Sequence, residues 1–239
     1  MRSDLFNESR EVEATSNFTL QNGKLLKCVL GTDVLPRQGS MVAYQGNVQF
    51  DREGAGLKRF VKQWATGEGV PLMRVTGQGD VFFAENSRDV AILYLENDGI
   101  TMNGRNVLAF DAALNWDIEM IQGLAGMGAQ GLFNVVVQGT GWIALTSTGT
   151  PLVIDVNPYS EVHVDSDAVV AWSLGLRPQI AASITLGSFL GRGSGEMWNM
   201  HFRGPQGFVV VQPAEEPPPV AEGQSPLGGN SGLLGRLDH

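Results

Sequence analysis

The chain has 239 residues, 43% of them hydrophobic and 17% charged, and its 16 Lys and Arg against 25 Asp and Glu give a formal net charge of −9. So acidic a chain, with Lys24, Lys27, Lys58 and Lys62 as its only lysines, repels a phosphate backbone, which excludes non-specific nucleic-acid binding. The lone Cys28 cannot close an internal disulfide and suits a reducing compartment. No apolar run approaches the ~18–20 residues of a membrane helix, and the first residues contain no apolar signal core. A soluble, cytoplasmic protein is expected. Glycine supplies 31 residues, about 13% of the chain and nearly twice the usual ~7%.

In chain order, residues 1–15 read as an N-terminal extension and 16–212 as one β-rich domain. Most glycines punctuate short apolar runs rich in Val, Ile, Leu and Phe, a pattern of many short strands. Leu25–Leu30 is one such run and carries Cys28, expected as a core thiol rather than a nucleophile. Leu57, Phe60, Val61 and Trp64 share one helical face and predict a helix over 56–64. Strand patterns follow from Gly69. Asp117–Ile121 reads as the start of a short helical excursion, and Ile180–Thr185 as helix or strand. From Pro213 the chain becomes Pro- and Gly-rich without a buried apolar pattern, which predicts a mobile tail over 213–239. Within it, Leu233–Leu237 resembles a short docking peptide for a protein partner, although an unstructured end is the commoner outcome.

An ungapped offset of 62 residues brings two segments into register, with Gly69 on Gly131, Val75 on Val137, Gly77 on Gly139 and Gly79 on Gly141. Further along, Val90, Ile92 and Tyr94 fall on Leu152, Ile154 and Val156, and Leu108-Ala109-Phe110 on Val170-Ala171-Trp172. The matches keep a period of two, as half-buried strands do. Units are therefore expected at about 69–118 and 131–176. A third unit is expected to form from the two chain ends, with 25–50 pairing with 195–212. In that scheme Tyr44, Phe110 and Trp172 hold equivalent places.

Candidate chemistry is sparse. Gly126–Gly131 matches GxGxxG, but a strand-like run follows it, whereas a dinucleotide site needs a helix there. His163, Asp165 and Asp167 alternate on one strand face and are weak metal candidates. Their partners by offset are Thr101, Asn103 and Arg105, so a polar turn before Ala168-Val169-Val170 is the commoner explanation. The repeated aromatics Phe110 and Trp172, with Gly77, Gly79, Gly139 and Gly141, are candidate ligand-binding residues, although core filling and close backbone approach are the ordinary roles of such residues. No catalytic residue and no cofactor is indicated.

Gly39–Tyr44, Gly131-Leu132-Phe133 with Gly139-Thr140-Gly141, and Ala168–Trp172 resemble the altered-inheritance-of-mitochondria 24 family over roughly residues 20–212. The resemblance implies a fold like that of the tryptophan RNA-binding attenuation protein: mainly β, built from duplicated antiparallel β-sandwich units in a pseudo-three-fold repeat with few short helices. It also implies assembly as a homotrimer and, from mitochondrial relatives, a role in inner-membrane organisation. RNA binding does not carry over to a chain of this charge. The expected function is a non-enzymatic, self-associating scaffold or protein-interaction module, with peripheral membrane association compatible. A small-ligand binding module is the alternative, and a metal-dependent enzyme the least supported.

Overall fold

The computed structural model describes residues 3–52, 70–120, 133–182 and 198–214. The helix expected over 56–64, the GxGxxG segment and the tail beyond residue 214 lie outside them. Among the described residues the protein is mainly β, with one four-residue helix, α1 (Leu5–Glu8), and strands joined only by antiparallel ladders.

The strands are β1 (Phe18–Asn22), β2 (Leu25–Leu30), β3 (Val34–Pro36), β4 (Met41–Arg52), β5 (Met73–Phe83), β6 (Asp89–Asn103), β7 (Val107–Asp111), β8 (Asn115–Met120), β9 (Phe133–Ser147), β10 (Leu152–Val156), β11 (Val162–Asp165), β12 (Val169–Ser173), β13 (Gln179–Ala182), β14 (Trp198–Phe202) and β15 (Gly207–Val211). Strands β11, β14 and β13 make a separate three-stranded sheet, and the other twelve form one large sheet.

Four strands organise the ladders, in three groups. Strand β5 carries β2 and β4, and touches β3 at Val34↔Val75. Strand β9 carries β6, β7 and β8. The successive strands β14 and β15 divide the corresponding work, with β14 carrying β11 and β13, and β15 carrying β10 and β12. Short ladders join the groups, β3 to β7 and β12 to β6.

This connectivity corrects the expected third unit. Among the described residues the segments 25–50 and 195–212 share no ladder: β2 and β4 pair with β5, whereas β14 and β15 pair with strands between residues 152 and 182. The alignment at offset 62 joined the last strand of one group to the first strands of the next. Each of the three groups closes on consecutive chain.

Two local expectations also change. Asn115–Met120 is the strand β8, not a helix. Trp116 and Ile118 are half-buried while Asn115, Asp117 and Glu119 are exposed, so the period is two. Gln179–Ala182 is a strand, which settles the described part of Ile180–Thr185.

The interior divides into three apolar clusters, two of which draw on more than one group of strands. The first gathers Phe18, Leu26, Cys28, Val75, Val81 and Phe83. The second gathers Leu35, Met102, Phe110, Val135, Ile143 and Val170. The third gathers Val156, Val164, Trp172, Met200, Phe202 and Val209. The N-terminal extension is fastened to the first group: the Val12 N–H donates to Gln21 Oε1 at 2.7 Å, and Glu11 reaches Lys27 Nζ at 2.5 Å. Lys27 also holds Asp80 at 2.7 Å. These two carboxylates raise its pKa, outweighing the opposing cost of burial.

Candidate functional site

Of the four glycines singled out in the sequence, Gly77, Gly79 and Gly139 have positive φ. In the β4–β5 ribbon, Gly46 faces Gly79 and Val48 faces Gly77. All three glycines have positive φ: +102° at Gly46, +112° at Gly77 and +145° at Gly79. A Cβ on Gly77 would overlap the carbonyl oxygen of Asn47, and one on Gly79 that of Gln45. The two backbones approach too closely for any side chain.

In the β6–β9 ribbon, Leu95 faces Gly141 and Asp98 faces Gly139, so β6 carries one extra residue there. Gly139 has φ +130° and Asn97 φ 53°, as a bulge requires. The Asn97 N–H donates to Thr140 Oγ1 at 3.0 Å. Gly141 has ordinary backbone, and its missing Cβ makes room for Asp111, whose Oδ2 accepts from the Trp142 N–H at 2.7 Å.

Phe110 and Trp172 fill cores. Phe110 is fully buried, edge-on to Trp116 at 6.0 Å, and Trp172 is edge-on to Phe202 at 5.7 Å. Tyr44 does not share their position. It is 52% exposed on β4 and packs on Phe50 across the bend at Gly46, at 5.2 Å.

His163, Asp165 and Asp167 separate in role. Asp165 and Asp167 form the turn from β11 to β12, where Asp165 Oδ1 accepts from the Asp167 N–H at 2.8 Å. Asp167 then pairs with Arg105 at 3.1 Å. His163 lies across the ladder from His201 of β14, with ring centroids 4.2 Å apart. Glu161 stands 3.8 Å from a ring nitrogen of each. Sequence reading missed Glu161 and His201 as partners of His163. A signal existed: Trp198-Asn199 followed by Gly204 repeats the spacing of Phe133-Asn134 and Gly139, and that spacing places His201 opposite His163 as Val136 lies opposite Thr101.

A polar cavity of about 540 Å³ opens among Lys24, Arg37, Glu85, Arg88, Arg105 and Thr148. Its arginines are committed to the frame. Arg37 donates to the Gly104 and Arg105 carbonyls and pairs with Glu85 at 3.3 Å, while Arg88 donates to the Arg105 carbonyl at 2.9 Å. Phe110 and Trp172 are not among its lining residues.

Two strand edges expose apolar side chains. Strand β4 is paired only with β5 among the described residues and presents Val42 and Tyr44, 57% and 52% exposed. Among the described residues strand β10 is paired only with β15, and it presents Leu152 and Val153. No helix of the described residues is long and apolar enough to cross a membrane.

A family model described as Mitochondrial biogenesis AIM24 matches residues 18–214. The chain belongs to this family. The match takes in every strand from β1 to β15, so the whole ladder scheme lies within the family's bounds. Among solved structures, protein SPYM3_0169 from Streptococcus pyogenes is similar with a TM-score of 0.67 and 23% identity, over 83% of this chain and 92% of that one. That likeness shows a shared fold. A search of the curated proteins finds no match.

Proposed function

We propose that this family member is a self-associating β protein, a scaffold or protein-interaction module with no chemistry of its own. One observation carries the reading. The twelve-residue strand β4 is hydrogen-bonded on one side only among the described residues, and it exposes Val42 and Tyr44. A long edge strand with exposed apolar residues pairs with another chain unless something blunts it. A neighbouring copy laid along β4 satisfies its free backbone groups and covers both side chains. The recurring ladder scheme of β5, β9 and β14–β15 is read here as three copies of one unit, and three chains closing in a ring is the assembly proposed. A reducing compartment such as the cytoplasm suits the unpaired Cys28.

Size-exclusion chromatography with light scattering tests this. The expected mass is a small multiple of 25.7 kDa, falling to one chain in a Val42→Asp/Tyr44→Asp variant whose circular dichroism is unchanged. A wild-type protein of single-chain mass at every concentration overturns it.

A second reading has its own observation, the cavity at Lys24, Arg37, Arg88 and Arg105. Its size falls in the ~300–1,000 Å³ range of ligand pockets, and four basic residues against Glu85 in its lining favour a small anion. A panel of carboxylate and phosphate ligands would raise the melting temperature of the wild type and not of Lys24→Met.

A further inference from the structure

The geometry points to a divalent transition-metal site formed by Glu161, His163 and His201 on the three-stranded sheet. His163 of β11 and His201 of β14 are direct cross-strand partners, so their side chains leave the same face. Their rings meet at 67°, and Glu161 sits just before β11, with Oε2 3.8 Å from His163 Nε2 and Oε1 3.8 Å from His201 Nδ1. One ligand atom from each of the three lies within 4.8 Å of the others. Ligands at ~2.0–2.1 Å from a tetrahedral ion stand roughly 3.4 Å apart. Small side-chain rotations therefore bring these three into coordination.

Three further features favour an ion over a simple polar patch. The imidazoles have no polar partner other than Glu161 among the described residues, and no lysine or arginine pairs with Glu161 there. The ladder that fixes His163 opposite His201 is anchored beneath by Val164, Met200 and Phe202, all buried in the third cluster. Both histidines are thus held by paired strands, and Glu161 comes from the turn that leads into β11. Two imidazoles and one carboxylate suit Zn²⁺, Co²⁺, Ni²⁺ or Cu²⁺ more than Mg²⁺ or Ca²⁺, which prefer all-oxygen sets. Side-chain exposures of 53%, 28% and 41% at His163, His201 and Glu161 leave room for water at the remaining position. Gln179, the partner of His201 on its other side, is exposed and borders the site.

The test is a titration of the full, tag-free chain with Co²⁺, read by its visible ligand-field absorption, followed by displacement with Zn²⁺. One equivalent per chain is expected. His163→Asn and His201→Asn should each weaken binding by about 100-fold or more, beyond the ~10–100-fold that losing an outer partner costs. Glu161→Gln should weaken it less. Asp165→Asn and His239→Asn should bind as the wild type does. The substituted histidines lie on the surface side of the sheet, and unchanged circular dichroism confirms that each variant is folded. In parallel, the His163 and His201 ring resonances should shift together in an NMR titration with Zn²⁺. Absence of stoichiometric Co²⁺ uptake, or uptake that survives both histidine substitutions, overturns the site.

Discussion

Two ribbons of this protein carry the same glycine spacing for different physical reasons. Gly77 and Gly79 of β5 and Gly139 and Gly141 of β9 are equivalent in the sequence alignment, each pair two residues apart. In β4–β5 the constraint is backbone against backbone: the carbonyls of Asn47 and Gln45 occupy the space of the missing side chains. In β6–β9 the constraint is mixed. Gly139 is needed for its φ of +130°, whereas Gly141 makes way for the carboxylate of Asp111. The same glycine spacing thus serves a backbone contact in one ribbon and a bulge beside a carboxylate in the other.

Substitution tests the distinction, and the largest effect is expected at Gly79. Gly79→Ala combines left-handed backbone with overlap on a carbonyl that no side-chain motion relieves. It should cost about 3 kcal/mol or more in denaturant unfolding. Trimming Gln45 to Ala should restore nothing, because the obstacle is its backbone. A cost below about 1 kcal/mol would show that the ribbons separate easily there.

Next comes Gly139→Ala. Its Cβ would meet only Leu114 Cδ2, at 3.2 Å, so the cost is mainly the strained φ, about 1–3 kcal/mol. Gly141→Ala has no strained backbone and should cost about 1–2 kcal/mol through the displaced Asp111 bond to Trp142. Here a side-chain change does help: Asp111→Ala removes the obstructing group. The double variant should be more stable than the sum of the singles implies, a favourable coupling in a double-mutant cycle. Strict additivity would mean that Asp111 is not what excludes a side chain at residue 141.

Much of this architecture was legible from residues alone. Alternating apolar runs marked the strands, Cys28 was placed in a core, and Phe110 and Trp172 were given core filling as their ordinary role. Phase was not legible. The offset of 62 holds equally for a unit cut before β5 or before β6, and only the ladders show that β5 belongs with the strands preceding it. Tyr44 was misplaced because Met41–Tyr44 looks like a core strand, yet it lies on an edge where both faces meet solvent. Glu161 and His201 escaped notice because they meet through cross-strand register, which local spacing cannot display. Asp117–Ile121 was misread by weighing a single turn of sequence, whereas the alternation from Asn115 onward identifies β8.

A smaller effect concerns pH. Asp111 is buried, its Oδ1 has no hydrogen-bond partner among the described residues, and desolvation raises its pKa although the Trp142 N–H works against the shift. A carboxyl whose folded pKa is raised contributes stability when protonated, and that contribution is lost as pH rises through the folded value. Asp111→Asn keeps an acceptor for Trp142 and cannot ionise. Relative to the wild type, this variant should therefore gain stability as pH rises from an ordinary aspartate's ~3.9 to neutrality. A difference that stays flat across that range would mean that Asp111 titrates alike in both states.

The reactivity of Cys28 separates the two ribbons most directly. Its thiol is fully buried and its pKa is pushed well up by desolvation, with Asp111 adding a lesser repulsion. Labelling by a thiol reagent therefore waits for an opening that exposes β2. Cys28 pairs with Val81 on β5, two residues from Gly79, so strain at Gly79 acts on the ladder that shields it. When closing outpaces labelling, the rate follows the population of the open form, and each ~1.4 kcal/mol is tenfold. Gly79→Ala should then label about 100-fold faster than the wild type, and Gly141→Ala about tenfold or less. Equal acceleration in both variants would mean that β2–β5 and β6–β9 open as one unit, and the difference between the two glycine pairs would then be geometric without being energetic.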